Sequence, residues 1–261
     1  MRASEIKGIL SSYGISPRKS RGQNFLIDER VAQREVQAAG IGEEDTVLEV
    51  GPGLGVLTKY LSQAAARVVA IETEPTLCHY LEETLPEVEV IQGDALEVDF
   101  PRFDRFVANL PYSISSPLIF KLLDHHFEVA VFMVQREFAE RMAASPGDRD
   151  YSRLSVGVYH RGEVELLERV PPSAFWPQPE VESAMVRLAP RPAPFQVSDE
   201  DLFHHLVKVL FQHRRKKVGK TLRMRGLVSK GEDPPFKDLR VEEMSPEEIG
   251  ELSEWILRRR N

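Results

Sequence analysis

The sequence of 261 residues predicts an α/β protein with a Rossmann-like, mostly parallel sheet, followed by a small helical C-terminal domain. Three observations carry that expectation. Short apolar runs at 46–50, 68–71, 88–91, 103–110 and 129–134 alternate with stretches of helical spacing, the pattern of buried parallel strands joined by crossover helices. The first run leads directly into Gly51-Pro52-Gly53-Leu54-Gly55 and then a helical pattern from Val56 to Leu61. Strand, glycine loop and helix in that order let the backbone turn tightly and a ligand lie against it. Finally, Pro190-Arg191-Pro192-Ala193-Pro194 reads as a linker, separating residues 1–190 from a helical part at 191–261.

Composition bounds the function. At 42% hydrophobic and 29% charged the chain is globular, and its net charge of −7 confines any nucleic-acid contact to local patches. A lone cysteine, Cys78, excludes an internal disulfide and a zinc site built on several cysteines; it is expected as a small buried residue on a helix. The N-terminus lacks the apolar core of a signal peptide, and the longest apolar run, Val129 to Val134, is too short to cross a bilayer. A soluble, cytoplasmic, monomeric protein is expected.

Taken in order, the chain opens with a short helix and then Pro17-Arg18-Lys19-Ser20-Arg21-Gly22-Gln23-Asn24-Phe25-Leu26. Arg18, Lys19 and Arg21 stand there without an acid, which suits either an arm meeting phosphate or a solvated tail. Residues 28–40 have apolar positions at helical spacing and a stop at Gly40. The first strand contains Glu49, a carboxylate expected to face a cation. The second ends in Glu72, where a doubly wound fold places the acid that holds both ribose hydroxyls, and the third runs out into Gly93-Asp94-Ala95, where Asp94 could accept from an adenine amino group. The strand from Phe103 to Leu110 ends in Asn109-Leu110-Pro111-Tyr112, and the next helix is expected to start with Ser116 as its cap and Pro117 at its first position.

Beyond the strand 129–134, a short helix to Met142 and a polar loop at 145–150 are expected, and residues 151–160 fix no element type. A strand at Val164 to Val170 precedes the proline-stiffened loop Pro171-Pro172-Ser173-Ala174-Phe175-Trp176-Pro177-Gln178-Pro179 and a strand over 183–188. Of the two aromatics in that loop, Phe175 is assigned to a ligand pocket and Trp176 to the core. In the C-terminal part, Ser198 with Asp201 predicts a capped helix to about Phe211, and Ser245-Pro246-Glu247-Glu248 another to about Arg259. Between them the run from Lys208 to Arg225 holds Arg214, Arg215, Lys216, Lys217 and Lys220 without an acid, pointing to a phosphate-facing surface.

Chemistry centres on Asn109-Leu110-Pro111-Tyr112. An Asn oxygen and a carbonyl held rigid before proline offer two acceptors, and Tyr112 can stack on a flat base. Such a pair suits an exocyclic amine, whose lone pair becomes available when acceptors on its protons favour the pyramidal form. Glu49, Glu72 and Asp94 around a G-x-G-x-G loop imply a ligand with an adenine, a free ribose and a positive charge. S-adenosylmethionine fits that description better than NAD, since the loop lacks the phosphate-binding spacing of the dinucleotide fingerprint. None of the seven histidines sits in a motif, so no general base is expected.

With these residues in view, the chain resembles the ribosomal RNA adenine N6-dimethyltransferases of the KsgA type over residues 17–225. The resemblance rests on Gly22-Gln23-Asn24-Phe25-Leu26, Glu49 to Gly55, Ile71-Glu72, Gly93-Asp94-Ala95, Asn109 to Ser115, Gln135-Arg136-Glu137 and Pro171 to Phe175. Tyr151-Ser152-Arg153-Leu154 and the short C-terminal part are most similar to the archaeal branch. It implies a Rossmann-like S-adenosylmethionine methyltransferase fold with a mostly parallel seven-stranded sheet and a small C-terminal helical domain docking on RNA. Cofactor contacts are implied at Asn24, Leu26, Gly51, Glu72, Asp94 and Asn109, with Gly53 beside them, and target-adenine contacts at Asn109, Leu110, Tyr112 and Phe175. Family members dimethylate two adjacent adenosines near the 3′ end of small-subunit ribosomal RNA, so the implied partner is that RNA in a pre-ribosomal particle. A large-subunit RNA methyltransferase uses the same chemistry and stays open here. A nucleic-acid-binding factor that has lost catalysis is disfavoured by the intact Asn109, Tyr112 and Phe175.

Overall fold

A computed structural model of the chain describes residues 3–15 and 24–260. The arm cations Arg18, Lys19 and Arg21 lie outside the described residues. Two compact units emerge, one formed by residues 1–139 and 164–190 and the other by 140–163 and 191–261.

The first unit is built on a seven-stranded sheet. In chain order its strands are β2 (Thr46–Val50), β3 (Arg67–Glu72), β4 (Glu89–Gln92), β5 (Arg105–Asn109), β6 (Val129–Gln135), β7 (Gly162–Val170) and β9 (Ser183–Pro190). Their spatial order is β4-β3-β2-β5-β6-β9-β7, with parallel pairing from β4 through β6 and β9 antiparallel to β6. The chain reverses direction across the sheet after β4, leaving the carboxyl ends of β2 and β5 side by side around a crevice. A separate two-residue ladder joins β1 (Phe25–Leu26) to β8 (Phe175–Trp176).

The helices form where the pattern places them. α2 (Glu29–Ala39) is capped by Asp28, whose carboxylate accepts from the Arg30 amide, and ends at Gly40 in the left-handed region at φ 57°. Its buried stripe, Val31, Ala32 and Ala39, packs with Val47, Leu57, Leu61, Val107 and Val131. α1 (Ala3–Ser12) contributes Ile6 and Leu10 to a second cluster with Phe25, Leu54, Leu77 and Leu81, the last two from α4 (Pro75–Thr84). Cys78 is buried on α4, as expected, and burial pushes its thiol up to about 11. The short helix expected after β6 is α6 (Arg136–Met142).

Two helix starts of the first unit differ from expectation. α3 (Thr58–Ala64) begins two residues late, because Val56 and Leu57 complete the glycine turn. α5 (Ser115–Leu123) has no side-chain cap; Ser115 Oγ instead donates to the Pro111 carbonyl at 3.1 Å, tying the helix to the loop before it.

The second unit gathers α7 (Arg153–Arg161), α8 (Glu200–Gln212), α9 (Val218–Met224) and α10 (Pro246–Arg260) around Phe203, Leu206, Leu210, Leu222, Ile249 and Leu252. Residues 140–163 belong with it, which corrects the continuous division at 190. Tyr151 and Val156 are part of this core, and the Tyr151 hydroxyl donates to the Met244 carbonyl at 3.0 Å. The stretch without a sequence assignment is thus mostly α7, started by a reciprocal cap between Ser152 and Ser155. The cap of α8 is Asp199, accepting from the Leu202 amide at 2.8 Å, because the Ser198 hydroxyl is engaged by Glu254 at 3.0 Å. Ser245 and Glu248 form the expected capping box of α10. No described helix is long and apolar enough to cross a membrane.

Candidate active site

A cavity of about 600 Å³ lies at the carboxyl ends of the parallel strands, wholly within the first unit. Every cofactor and base-binding position expected from the sequence lines it: Asn24 and Leu26 from the arm, Gly51 and Gly53 from the loop after β2, Glu72, Asp94, Asn109, Leu110, Tyr112, and Phe175 from β8.

Glycine is required at two of these positions. Gly51 sits at φ 73°, and at Gly53 (φ 58°) a Cβ would meet the Phe25 ring at 2.9 Å. The Gly53 amide instead donates to Glu72 Oε2 at 3.3 Å, while Glu72 Oε1 accepts from the amides of Thr73 and Glu74 at 2.8 and 3.0 Å. Burial pushes the Glu72 carboxyl up, and these three amides pull it back toward the charged form. Asp94 Oδ1 caps its own turn by accepting from the Leu96 amide at 2.9 Å.

Across the cavity, the Leu110 amide donates to the Met133 carbonyl at 3.0 Å, fixing the peptide that follows Asn109. Asn109 Oδ1 is buried and accepts no hydrogen bond from the described residues. A buried acceptor without a partner costs about 1–3 kcal/mol, a penalty relieved when a ligand supplies an N–H. The Tyr112 hydroxyl lies 2.7 Å from Ser183 Oγ, at the first residue of β9. Sequence reading missed Ser183, although a small polar residue opening the buried apolar run Ala184-Met185-Val186 was a usable signal. It also missed Lys121 of α5, whose ammonium donates to the Ala95 carbonyl at 2.8 Å and so ties down the turn that carries Asp94.

Glu49 does not face a cation. It is absent from the cavity wall and 1% exposed, and burial pushes its carboxyl up to about 8. Pleat alternation explains this: Val50 and Gly51 reach the cavity while Glu49 turns into the core, where Glu35 of α2 is fully buried. Phe175 both lines the cavity and joins the core around Leu26, so neither pocket nor core alone describes it. Trp176 is half-buried and packs on the α1 side.

No lysine, arginine or histidine lines the cavity among the described residues, whereas Glu72 and Asp94 do. That wall offers, among the described residues, no cationic side chain to a pyrophosphate and two carboxylates to a cationic nucleoside, so the residues present fit S-adenosylmethionine. No group of three or more His, Cys, Asp or Glu side chains among the described residues is arranged to hold a metal.

The basic run belongs to the second unit and is divided. Arg214 pairs with Glu242 at 2.9 Å and donates to the Arg149 carbonyl, and Lys217 pairs with Asp238 at 3.0 Å. Arg215, Lys216 and Lys220 are exposed and form no ion pair with the described residues.

Comparison with known proteins supplies three findings. A family model described as ribosomal RNA adenine dimethylase matches residues 14–256. Proteins named "probable ribosomal RNA small subunit methyltransferase A" from Thermococcus gammatolerans and Methanothermobacter thermautotrophicus are 46% and 45% identical, over 95% and 97% of this chain and 92% and 95% of theirs. Among solved structures, a dimethyladenosine transferase from Plasmodium falciparum is similar with a TM-score of 0.75 at 32% identity, covering 87% of this chain and 95% of that one. The 23S rRNA methyltransferase ErmE is similar with a TM-score of 0.65 at 28% identity, covering 88% and 99%.

Proposed function

The chain belongs to the ribosomal RNA adenine dimethylase family, and on that premise we propose that it dimethylates N6 of two adjacent adenosines near the 3′ end of small-subunit ribosomal RNA. The observation that carries this reading is Asn109, which lines a cavity walled by acids and, among the described residues, by no Lys, Arg or His, and whose buried Oδ1 has no partner among the described residues. It is an acceptor waiting for an N–H beside a site for a positively charged donor.

When bound, S-adenosylmethionine supplies a methyl group made electrophilic by its sulfonium. Glu72 would hold the ribose hydroxyls, Asp94 would accept from the cofactor's adenine, and the glycine loop would let the ligand lie against backbone. Asn109 Oδ1 and the Leu110 carbonyl accept the two protons of the target amine, drawing its nitrogen toward the pyramidal form that exposes the lone pair. Tyr112 and Phe175 flank the target ring. With no basic side chain among the described residues of the wall, the proton leaves to water from an already acidic ammonium.

A single-nucleotide pocket cannot choose among the many adenosines of a ribosomal RNA, so selection needs a second surface. Arg215, Lys216 and Lys220 supply it, together with Arg18, Lys19 and Arg21 of the arm, on an otherwise acidic protein acting as a monomer in the cytoplasm on a pre-ribosomal particle. The small subunit is favoured over the large one because the relatives named for it share 45–46% of residues, against 28% for the 23S enzyme. Methylating purified small and large subunits with labelled cofactor and mapping the modified nucleotides is the test. Label on large-subunit RNA alone would overturn the assignment.

A further inference from the structure

Ser183 is 0% exposed, lies opposite Gln135 at the carboxyl end of β6, and lines the cavity with Tyr112. It therefore presents a polar atom from a rigid sheet to an aromatic side chain whose own backbone lies in the turn after β5. A tyrosine ring is placed by χ1 and turned by χ2; its hydroxyl lies on the χ2 axis, so the bond at 2.7 Å fixes where the ring sits before any base arrives.

We propose that Ser183 is a positioning residue that holds the Tyr112 ring against the target adenine, and that this hold matters more for the second methyl transfer to a nitrogen than for the first. The inference rests on the function proposed above and deepens it. In each transfer an N6–CH3 bond forms, the sulfonium S–CH3 bond breaks with its electron pair staying on sulfur, and one proton of N6 leaves to water. The amine enters the first transfer with two protons, enough for both Asn109 Oδ1 and the Leu110 carbonyl. It enters the second with one proton and one methyl group, so one acceptor loses its partner. Hydrogen-bond orientation is halved while the stacking area is unchanged. The burden of keeping the nitrogen on line then shifts to the ring, and through the ring to Ser183.

The test follows single-turnover time courses on small-subunit particles, with digestion to nucleosides and mass spectrometry of N6-monomethyl- and N6,N6-dimethyladenosine. For Ser183→Ala the ratio of first to second rate constant should rise roughly tenfold, the size expected of one lost hydrogen bond, and monomethyladenosine should accumulate. Tyr112→Phe keeps the ring and removes the other half of the same bond, so it should give the same product ratio and carries the test should Ser183→Ala fold poorly. The double variant should be no worse than either single one, Ser183→Thr should restore the wild-type ratio, and affinity for S-adenosylhomocysteine should not move. Equal slowing of both steps, no slowing, or multiplying defects in the double variant would overturn the tether while leaving the proposed function in place. Absence of any transfer by the wild-type chain would overturn the proposed function and this inference with it.

Discussion

Leu26 and Phe175 face one another across the two-residue antiparallel ladder of β1 and β8. The pairing brings the arm that carries Asn24 to the proline-rich loop and makes both part of one cavity wall. Phe175 is 4% exposed and also packs in the core, so truncation to alanine would mix a cavity cost with any loss of stacking. Phe175→Leu keeps most of the volume. It should lower the rate on the particle by about 1–3 kcal/mol of lost stacking, while Trp176→Leu should change the melting temperature more than the rate. Steady-state kinetics beside thermal melts check the ranking, and the reverse order would move the stacking role to Trp176.

Glu72→Gln should weaken binding of S-adenosylhomocysteine on the order of tenfold, measured by titration calorimetry, and leave turnover at saturating cofactor within about threefold. The amide keeps an oxygen for Thr73 and Glu74 but offers an N–H to the Gly53 amide now 3.3 Å from Oε2. Ribose contacts are remote from the moving methyl group and hold ground and transition states alike. Unchanged affinity would remove Glu72 from the cofactor site.

Glu35 gives a pH-dependent prediction. It is fully buried, neither carboxyl oxygen has a hydrogen-bond partner among the described residues, and burial, with the neighbouring Glu49 and Glu168, pushes its carboxyl well above its ordinary value of 4.5. The folded protein therefore binds more protons here than the unfolded chain, and stability falls as pH rises above about 4.5 by up to about 1.4 kcal/mol per pH unit. Glu35→Met should raise the melting temperature, with a gain larger at pH 8 than at pH 5. A gain that shrinks as pH rises would contradict the assignment.

Neutralising Arg215, Lys216 and Lys220 together should weaken particle binding and flatten its salt dependence, by about 0.7 to 0.9 in slope for each RNA phosphate that no longer meets a cation. Neutralising Arg214 and Lys217 should instead act on the second unit's stability, since both are engaged with acids. Filter binding across salt concentrations separates the two. An unchanged slope for the triple variant would leave docking to Arg18, Lys19 and Arg21.

The fold was legible because the central strands of the parallel core are mostly apolar runs, and the site because its glycines and acids stand at the strand ends. What the sequence hid is long-range or conditional. Nothing local shows that Tyr151 reaches Met244, so residues 140–163 could not be assigned to the second unit. Glu49 read as a charge facing a ligand because pleat direction and the facing Glu35 are settled only by packing. Arg214 and Lys217 counted as free cations until Glu242 and Asp238 were brought to them. Ser183 is one of many serines until β9 sets it beside Tyr112.

The acceptor role of Asn109 is tested most directly by single-turnover methylation of small-subunit particles with Asn109→Ala beside the wild type, at matched melting temperature and saturating cofactor. Loss of a transition-state acceptor should slow transfer on the order of 10²-fold or more, to the same nucleotides. Transfer by Asn109→Ala at the wild-type rate would contradict the account, because the buried oxygen on which it rests would then take no part in the reaction.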